Sequence, residues 1–185
     1  MKKILKILIL IIVIIIILKI WVIDLTKIEG MSMYPTLETN QITLIYKWEK
    51  TLKQEMKRGD IVVFKVPDKI YINEEEYNSN NKIAEYKKND VFKKQIVKRI
   101  IGLPGEHIQI TDEGKVYLNE KELAEEYLLE PYTGISGKNG LYMFIDIIVP
   151  ENSVYVLGDN RSGSIDSRSF GCIPLNQIIG EIRTK

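Results

Sequence analysis

The feature that most constrains this chain lies at its start. Residues 7–18 are an unbroken run of Ile, Leu and Val, and the apolar stretch 4–23 around it is interrupted only by Lys6 and Lys19. About 20 apolar residues cross a bilayer as a helix, and the two lysines stand near the ends, where long side chains reach the headgroups. Trp21 suits the far interface. A cleaved signal peptide needs a small-residue cleavage site, and neither Ala nor Gly occurs before Gly30. Residues 1–23 are therefore expected to form a single uncleaved transmembrane signal-anchor, with 24–185 a folded domain held on a short tether at 24–29. Lys2, Lys3 and Lys6 precede the span and Lys19 and Lys27 lie at its far end. The positive-inside bias then predicts a cytoplasmic N-terminus and an extracytoplasmic domain at the cell membrane.

Composition narrows what that domain does. At 185 residues and 45% hydrophobic content, there is room for one domain of ordinary size and little more. The 26 basic residues are balanced by 25 acidic ones, without the basic excess that a nucleic-acid partner calls for. With four lysines in the N-terminal segment, the rest of the chain is mildly acidic. One cysteine, Cys172, makes no internal disulfide, and one histidine, His107, builds no His-rich metal site. No metal and no cofactor are expected. Cys172, between Gly171 and Ile173 with no charged residue adjacent, reads as a small buried hydrophobe.

Beyond the anchor the chain reads as strands, with weak helical periodicity. Residues 41–46 and 61–66 are short and β-rich, the second launched by a turn at Arg58-Gly59-Asp60 and stopped by Pro67. Residues 95–101 form a β-branched strand carrying two adjacent cations, Lys98 and Arg99, and 102–106 a tight turn with glycines flanking Pro104. Alternation puts the two cations on opposite faces, one of them on the face of Ile96 and Ile100 and the other free to be solvated, unless the strand is an edge with Lys98 guarding it. Residues 107–110, 116–118 and 143–149 are further strand segments, with a turn at 112–114. Residues 123–129 suit a turn or two of helix, and 132–140 a glycine-rich loop. The polar stretch within 68–95 is a surface insertion.

Two stretches are richer in chemistry than their structure requires. In Gly30-Met31-Ser32-Met33-Tyr34-Pro35-Thr36-Leu37 one hydroxyl sits on a stiff, partly apolar loop, which suits a nucleophile and equally a turn serine bonded to a neighbouring amide. About nine residues from the apolar span, it lies within ~30 Å of the membrane. The strand at 154–157 runs into Gly158-Asp159-Asn160-Arg161, followed by Ser164, Asp166 and Arg168. In an extended segment Asp166 and Arg168 project to one side, able to pair or to bind other loops. A serine nucleophile needs a base. His107 has no motif around it, and a lysine whose pKa is lowered by burial serves as well, for which Lys98 in its apolar strand is best placed.

Four motifs in order, Ser-Met-x-Pro-Thr-Leu at 32–37, Arg-Gly-Asp-Ile-Val at 58–62, Lys-Arg-x-x-Gly-Leu-Pro-Gly at 98–105 and Gly-Asp-Asn-Arg-x-x-Ser-x-Asp-Ser-Arg at 158–168, follow an N-terminal anchor. Together they resemble the bacterial type I signal peptidases, from the anchor to the 178–180 strand. The resemblance implies a mainly β fold, an antiparallel signal-peptidase-type domain behind one transmembrane helix. It implies Ser32 as nucleophile, Lys98 as general base, and Ser164 as the serine that orients the lysine amine. Gly158 and Asp159 match the turn that positions the loop, and Asp166 and Arg168 its structural ion pair. It also implies an acyl-enzyme mechanism with the Ser32 amide donating to the oxyanion. Signal peptides of exported preproteins would be cut after small residues in an Ala-x-Ala-like segment, beside the lipid bilayer. Ile28, Met33, Ile96 and Val97 match positions lining the small apolar subsites.

Two positions depart from the family pattern. Gly30 stands where some members have a serine that assists the oxyanion, and Glu106 replaces the more usual aspartate after the Pro-Gly turn. Two other readings are an inactive paralogue that binds export substrates or scaffolds an assembly, and a repressor-type self-cleaving peptidase. The second shares the serine-lysine chemistry but brings a DNA-binding domain and no anchor.

Overall fold

The computed structural model describes residues 2–47, 56–65, 95–128 and 144–184, with side chains of the first helix described over residues 3–15. Most of the expected insertion at 68–95 and the loop at 132–140 lie outside the described residues. Helix α1 (Lys2–Trp21) occupies the apolar run. Its described large apolar side chains, from Ile4 at 65% down to Val13 at 44% exposure, face outward on every side of the helix. Among the described residues, no helix is long and apolar enough to cross a membrane.

The domain is antiparallel β throughout its described pairings. Strands β1 (Ile23–Lys27), β2 (Ile42–Tyr46), β3 (Ile61–Lys65), β4 (Gln95–Gly102), β9 (Ser153–Leu157), β10 (Ile173–Pro174) and β11 (Ile178–Ile182) form one sheet in the order β1-β2-β11-β3-β4-β9-β10. A smaller sheet, β7-β6-β5-β8, is built from β5 (His107–Ile110), β6 (Val116–Leu118), β7 (Lys121–Glu122) and β8 (Ile145–Ile148). The segment that follows α1 is therefore not a free tether. Residues 23–27 are β1, paired with β2 from Ile23↔Tyr46 to Lys27↔Ile42, because their alternation lets the backbone bond a neighbour while one face stays half-buried.

Strand β3 shows why the sheet holds. Its four residues Ile61 to Phe64 are all buried, a continuous apolar run that requires cover on both faces. Val62 and Phe64 join Ile100, Val154, Val156, Phe170 and Ile173 on one side, while Ile61 and Val63 join Ile28, Met33, Leu37, Ile45 and Ile182 on the other. Phe64 and Phe170 meet edge to face at 6.0 Å. A third cluster, with Ile101, Ile108, Tyr155 and Leu157, ties the small sheet to the large one. Cys172 packs against it, and burial pushes its thiol up to about 12.

Three expectations change. Strand β4 is interior from Arg99 on, between β3 and β9, and the Lys98 side chain is buried, so Lys98 is not a solvated charge guarding an edge. Residues 123–128 make turns and no helix, because Leu123 and Tyr127 are drawn onto the third cluster. Arg168 does not lie in an extended segment: Ser167–Phe170 is a single helical turn, α2, capped by the Asp166 carboxylate, which accepts from the Arg168 N–H.

Candidate active site

The loop that presents Ser32 is fixed at both ends by its apolar neighbours. Met33 and Leu37 are 2% and 0% exposed in the second cluster, and the turn closes with Tyr34 N–H donating to Met31 O and Leu37 N–H to Met33 O. Upstream, Gly30 has φ +86°, and its carbonyl accepts from Thr39 Oγ1 at 2.7 Å. A side chain at Gly30 would find open space around its Cβ, so the residue is needed for its backbone conformation. Ser32 itself is half-buried, and its N–H donates to no acceptor among the described residues.

Sixty-odd residues on, β4 delivers Lys98 to that loop. Its Nζ donates to Ser32 Oγ at 2.8 Å and to Val97 O at 2.9 Å. With 3% of its surface exposed, the ammonium has lost most of its hydration, and burial pulls its pKa from 10.5 to about 8 against the opposing fields of Asp166 and Asp159. Strand β9 ends at Leu157, opposite Arg99, so the chain leaves the sheet beside Lys98. Residues 158–168 then fold over the lysine.

That loop is held to the Ser32 loop by backbone and side chain. Asn160 N–H donates to Ser32 O at 3.0 Å, and its Nδ2 to Met31 O at 3.1 Å. Thr36 Oγ1 donates to Asp159 Oδ2 at 2.5 Å. Gly158 packs so closely that a Cβ there would lie 2.2 Å from Ser164 Oγ and 2.5 Å from Ser32 O. Ser164 Oγ is buried without a hydrogen-bond partner among the described residues. Asp166 is fully buried. Burial alone would raise its carboxyl, but the Arg168 guanidinium, at 2.8 Å through both Nε and Nη2, and the Gly158 N–H at 3.0 Å hold it below its ordinary range.

In the sequence Arg99 is one of two adjacent cations that alternation sends to opposite faces, either of them open to solvent; the structure buries both. It is 9% exposed and bonds Asp159 through Nε at 2.8 Å and Nη2 at 2.6 Å, Gly59 O at 2.8 Å, and Thr36 Oγ1 at 3.1 Å. Its planar fork joins all four motifs' neighbourhoods at once. The signal was available: an arginine in an apolar strand and an aspartate after a buried strand are a charge pair in search of each other. Glu106 reaches Arg58, whose Nη1 and Nη2 donate at 2.9 and 2.5 Å, so the longer acid still spans from the Pro-Gly turn to the Arg-Gly-Asp turn.

The remaining candidates divide. Ile28, Met33 and Val97 pack in one cluster, whereas Ile96 packs against the cluster of Phe64 and Ile100. His107 lies on the small sheet, where its Nε2 meets Asp146 Oδ1 at 2.5 Å. Among the described residues, no group of three or more His, Cys, Asp or Glu side chains is arranged to hold a metal ion.

Comparison with known proteins gives the family of the chain. Thylakoidal processing peptidase 1, chloroplastic, of Arabidopsis thaliana is 33% identical over 153 residues, 83% of this chain but 38% of that protein, so the chain spans well under half its length. Signal peptidase I V of Bacillus subtilis (strain 168) is 35% identical over 162 residues, covering 84% of this chain and 81% of that protein. A solved structure of a signal peptidase I from Enterococcus faecalis V583 is 27% identical over 70% of this chain and 98% of its own, with a TM-score of 0.46. The family model for signal peptidase, peptidase S26, matches residues 1–185. A full-length family match, together with relatives above 30% identity, makes this chain a member of the peptidase S26 signal peptidase family.

Proposed function

We propose that this chain is a membrane-bound serine endopeptidase that removes signal peptides from exported preproteins through a Ser32–Lys98 dyad. The observation that carries this is the 2.8 Å contact from a buried lysine of lowered pKa to a half-buried serine hydroxyl. Neutral Lys98 accepts the Ser32 proton as Oγ attacks the scissile carbonyl. The oxyanion accepts from the Ser32 N–H. As the C–N bond breaks, the lysine ammonium returns the proton to the departing amine of the mature chain, leaving the signal peptide as an ester on Ser32. Lys98 then takes a proton from water, which attacks the ester, and the signal peptide leaves as a carboxylate while Ser32 regains its proton. Val97 O at 2.9 Å keeps the amine pointed at Ser32, and the Ser164 hydroxyl, buried with no partner among the described residues, would join it as the orienting serine.

Substrate features follow from the walls. Ile28, Met33 and Val97, in one cluster, would line one small subsite and Ile96, on the other face of β4, a second, each excluding large side chains and giving the Ala-x-Ala-like preference. Among the described residues, 95–98 of β4 pair with β3 alone, while β9 stops opposite Arg99, which gives an extended peptide a strand edge beside Lys98. Helix α1 anchors the domain in the lipid bilayer, its apolar side chains outward, with the N-terminus cytoplasmic and the catalytic domain extracytoplasmic. Leu25, Ile42 and Leu44 extend that exposed apolar surface onto one face of β1 and β2. Anchoring holds the site at the height of a substrate held by its own apolar segment, which raises effective concentration.

Purified full-length protein in detergent, incubated with a preprotein, should release the mature chain at a cut after a small residue. Ser32→Ala should fold and leave the preprotein intact. A fully active Ser32→Ala enzyme would refute the dyad.

A further inference from the structure

Two side chains outside the four motifs grip the catalytic loop. After β7 the chain runs through residues 123–128, where Leu123 and Tyr127 pack on the cluster joining the two sheets. This brings Glu125 against Arg161. Arg161 Nη1 donates to Glu125 Oε2 at 3.0 Å and Nη2 to Oε1, with side chains 3% and 10% exposed. Tyr127 O–H donates to Glu125 Oε1 at 2.6 Å, and the Arg99 guanidinium lies over the Tyr127 ring, 4.2 Å from its centroid. A buried guanidinium without a partner is strongly unfavourable, so Glu125 is what lets Arg161 remain inside.

Those two arginines hold the turn that meets the nucleophile. Arg161 Nε donates to Gly158 O at 3.0 Å, and Arg99 bonds both carboxylate oxygens of Asp159. The same turn touches Ser32 O through Asn160 N–H and leaves no space for a Cβ at Gly158. We propose that Glu125 and Tyr127 are positioning residues: from the small sheet they lock Arg161 and Arg99, and through them set the distance between the 158–160 turn and the Ser32 loop. The small sheet thereby acts on the reaction without touching substrate.

The activity arm of the test rests on the dyad reading; the exchange arm does not. In full-length protein in detergent, Glu125→Ala should lower kcat by about 10²-fold with KM within about twofold, the cost of a misplaced reacting pair. Glu125→Gln, which keeps an acceptor for Arg161, should recover part of that loss. Tyr127→Leu should lower kcat by about tenfold and Tyr127→Phe, which keeps the ring under Arg99, by less. Hydrogen exchange at the Asn160 amide should quicken in Glu125→Ala and Tyr127→Leu. Unchanged Asn160 exchange in both variants would overturn the proposal, as would a rise in KM with kcat unaltered. If Glu125→Ala fails to fold, Glu125→Gln and Tyr127→Leu decide. If the wild type cuts no preprotein, the proposed function fails and Asn160 exchange alone decides the clamp.

Discussion

Replacing Lys98 with Met should abolish cleavage and, at neutral pH, make the protein more stable relative to its alkaline behaviour. The lysine is 3% exposed and its pKa falls from 10.5 to about 8 on folding. A difference of two and a half units is about 3 kcal/mol at roughly 1.36 kcal/mol per unit. Its sign follows from proton counting. Below pH 8 the lysine is charged in both states and the folded chain bears the whole burial cost. Between 8 and 10.5 the unfolded chain holds a proton that the folded chain lacks, so wild-type stability rises with pH. Above 10.5 both are neutral and the cost is gone. Met fills the same volume without a charge, though it leaves Val97 O and Ser32 Oγ without the amine, at about 1 kcal/mol each. The decisive quantity is therefore the change with pH. From pH 7 to pH 10 the stability of wild type should gain on that of Lys98→Met by about 2–3 kcal/mol. Urea unfolding of both proteins in detergent, followed by far-ultraviolet circular dichroism, reads this directly, since every other titrating group is common to the two. A difference independent of pH would refute the buried, pKa-shifted lysine.

Activity should follow the same group. With a Lys98 pKa of about 8, initial rates of preprotein cleavage should rise about 10²-fold from pH 6 to pH 9 with a midpoint near 8; a rate flat across that range would refute Lys98 as the base. Gly158→Ala should cut kcat by about 10²-fold, because the new methyl carbon would stand 2.2 Å from Ser164 Oγ and 2.5 Å from Ser32 O; near-normal turnover would show that the two loops tolerate separation. Gly30→Ser should lower stability by about 1 kcal/mol, because φ +86° is unfavourable for any side chain. Thermal melting against wild type measures this, and an unchanged melting temperature would refute it.

Much of the fold was legible because it is written in local pattern. The runs at 61–66, 95–101 and 154–157 are β-branched and apolar, and each is a central strand bounded within a residue or two of where its flanking turns place it. Strands β1, β7 and β10 were not legible. Ile23–Lys27 carries a charge at Asp24 and another at Lys27, and only pairing with β2 makes it a strand; β7 and β10 are two residues each, defined by their neighbours. The turn at 123–128 escaped for a related reason. Its apolar spacing suits a helix, and the third cluster, assembled from distant strands, overrides that preference.

Residue type explains which parts of the site were foreseen. Ser32 and Lys98 are rare types for their surroundings, a hydroxyl among apolar loop residues and an ammonium inside a greasy strand, so each asks for an explanation on its own. Arg99 carries the same signal as Lys98, a cation inside an apolar strand, and lacks only a named partner, whereas Glu125 and Tyr127 ask for no explanation, because glutamate and tyrosine are ordinary on any exposed surface. They become informative only when three-dimensional structure buries them together. Asp166 shows the intermediate case. Its pairing with Arg168 was anticipated from an extended spacing, yet it is reached through a helix cap, in which one carboxylate bonds the Arg168 guanidinium, the Arg168 N–H and the Gly158 N–H together. A buried carboxylate with that many donors is fixed in place more firmly than an ion pair alone would fix it. The field that opposes the lowering of the Lys98 pKa therefore comes from a charge that cannot move away, and the lysine is left poised near 8 by burial acting against an immobile acid.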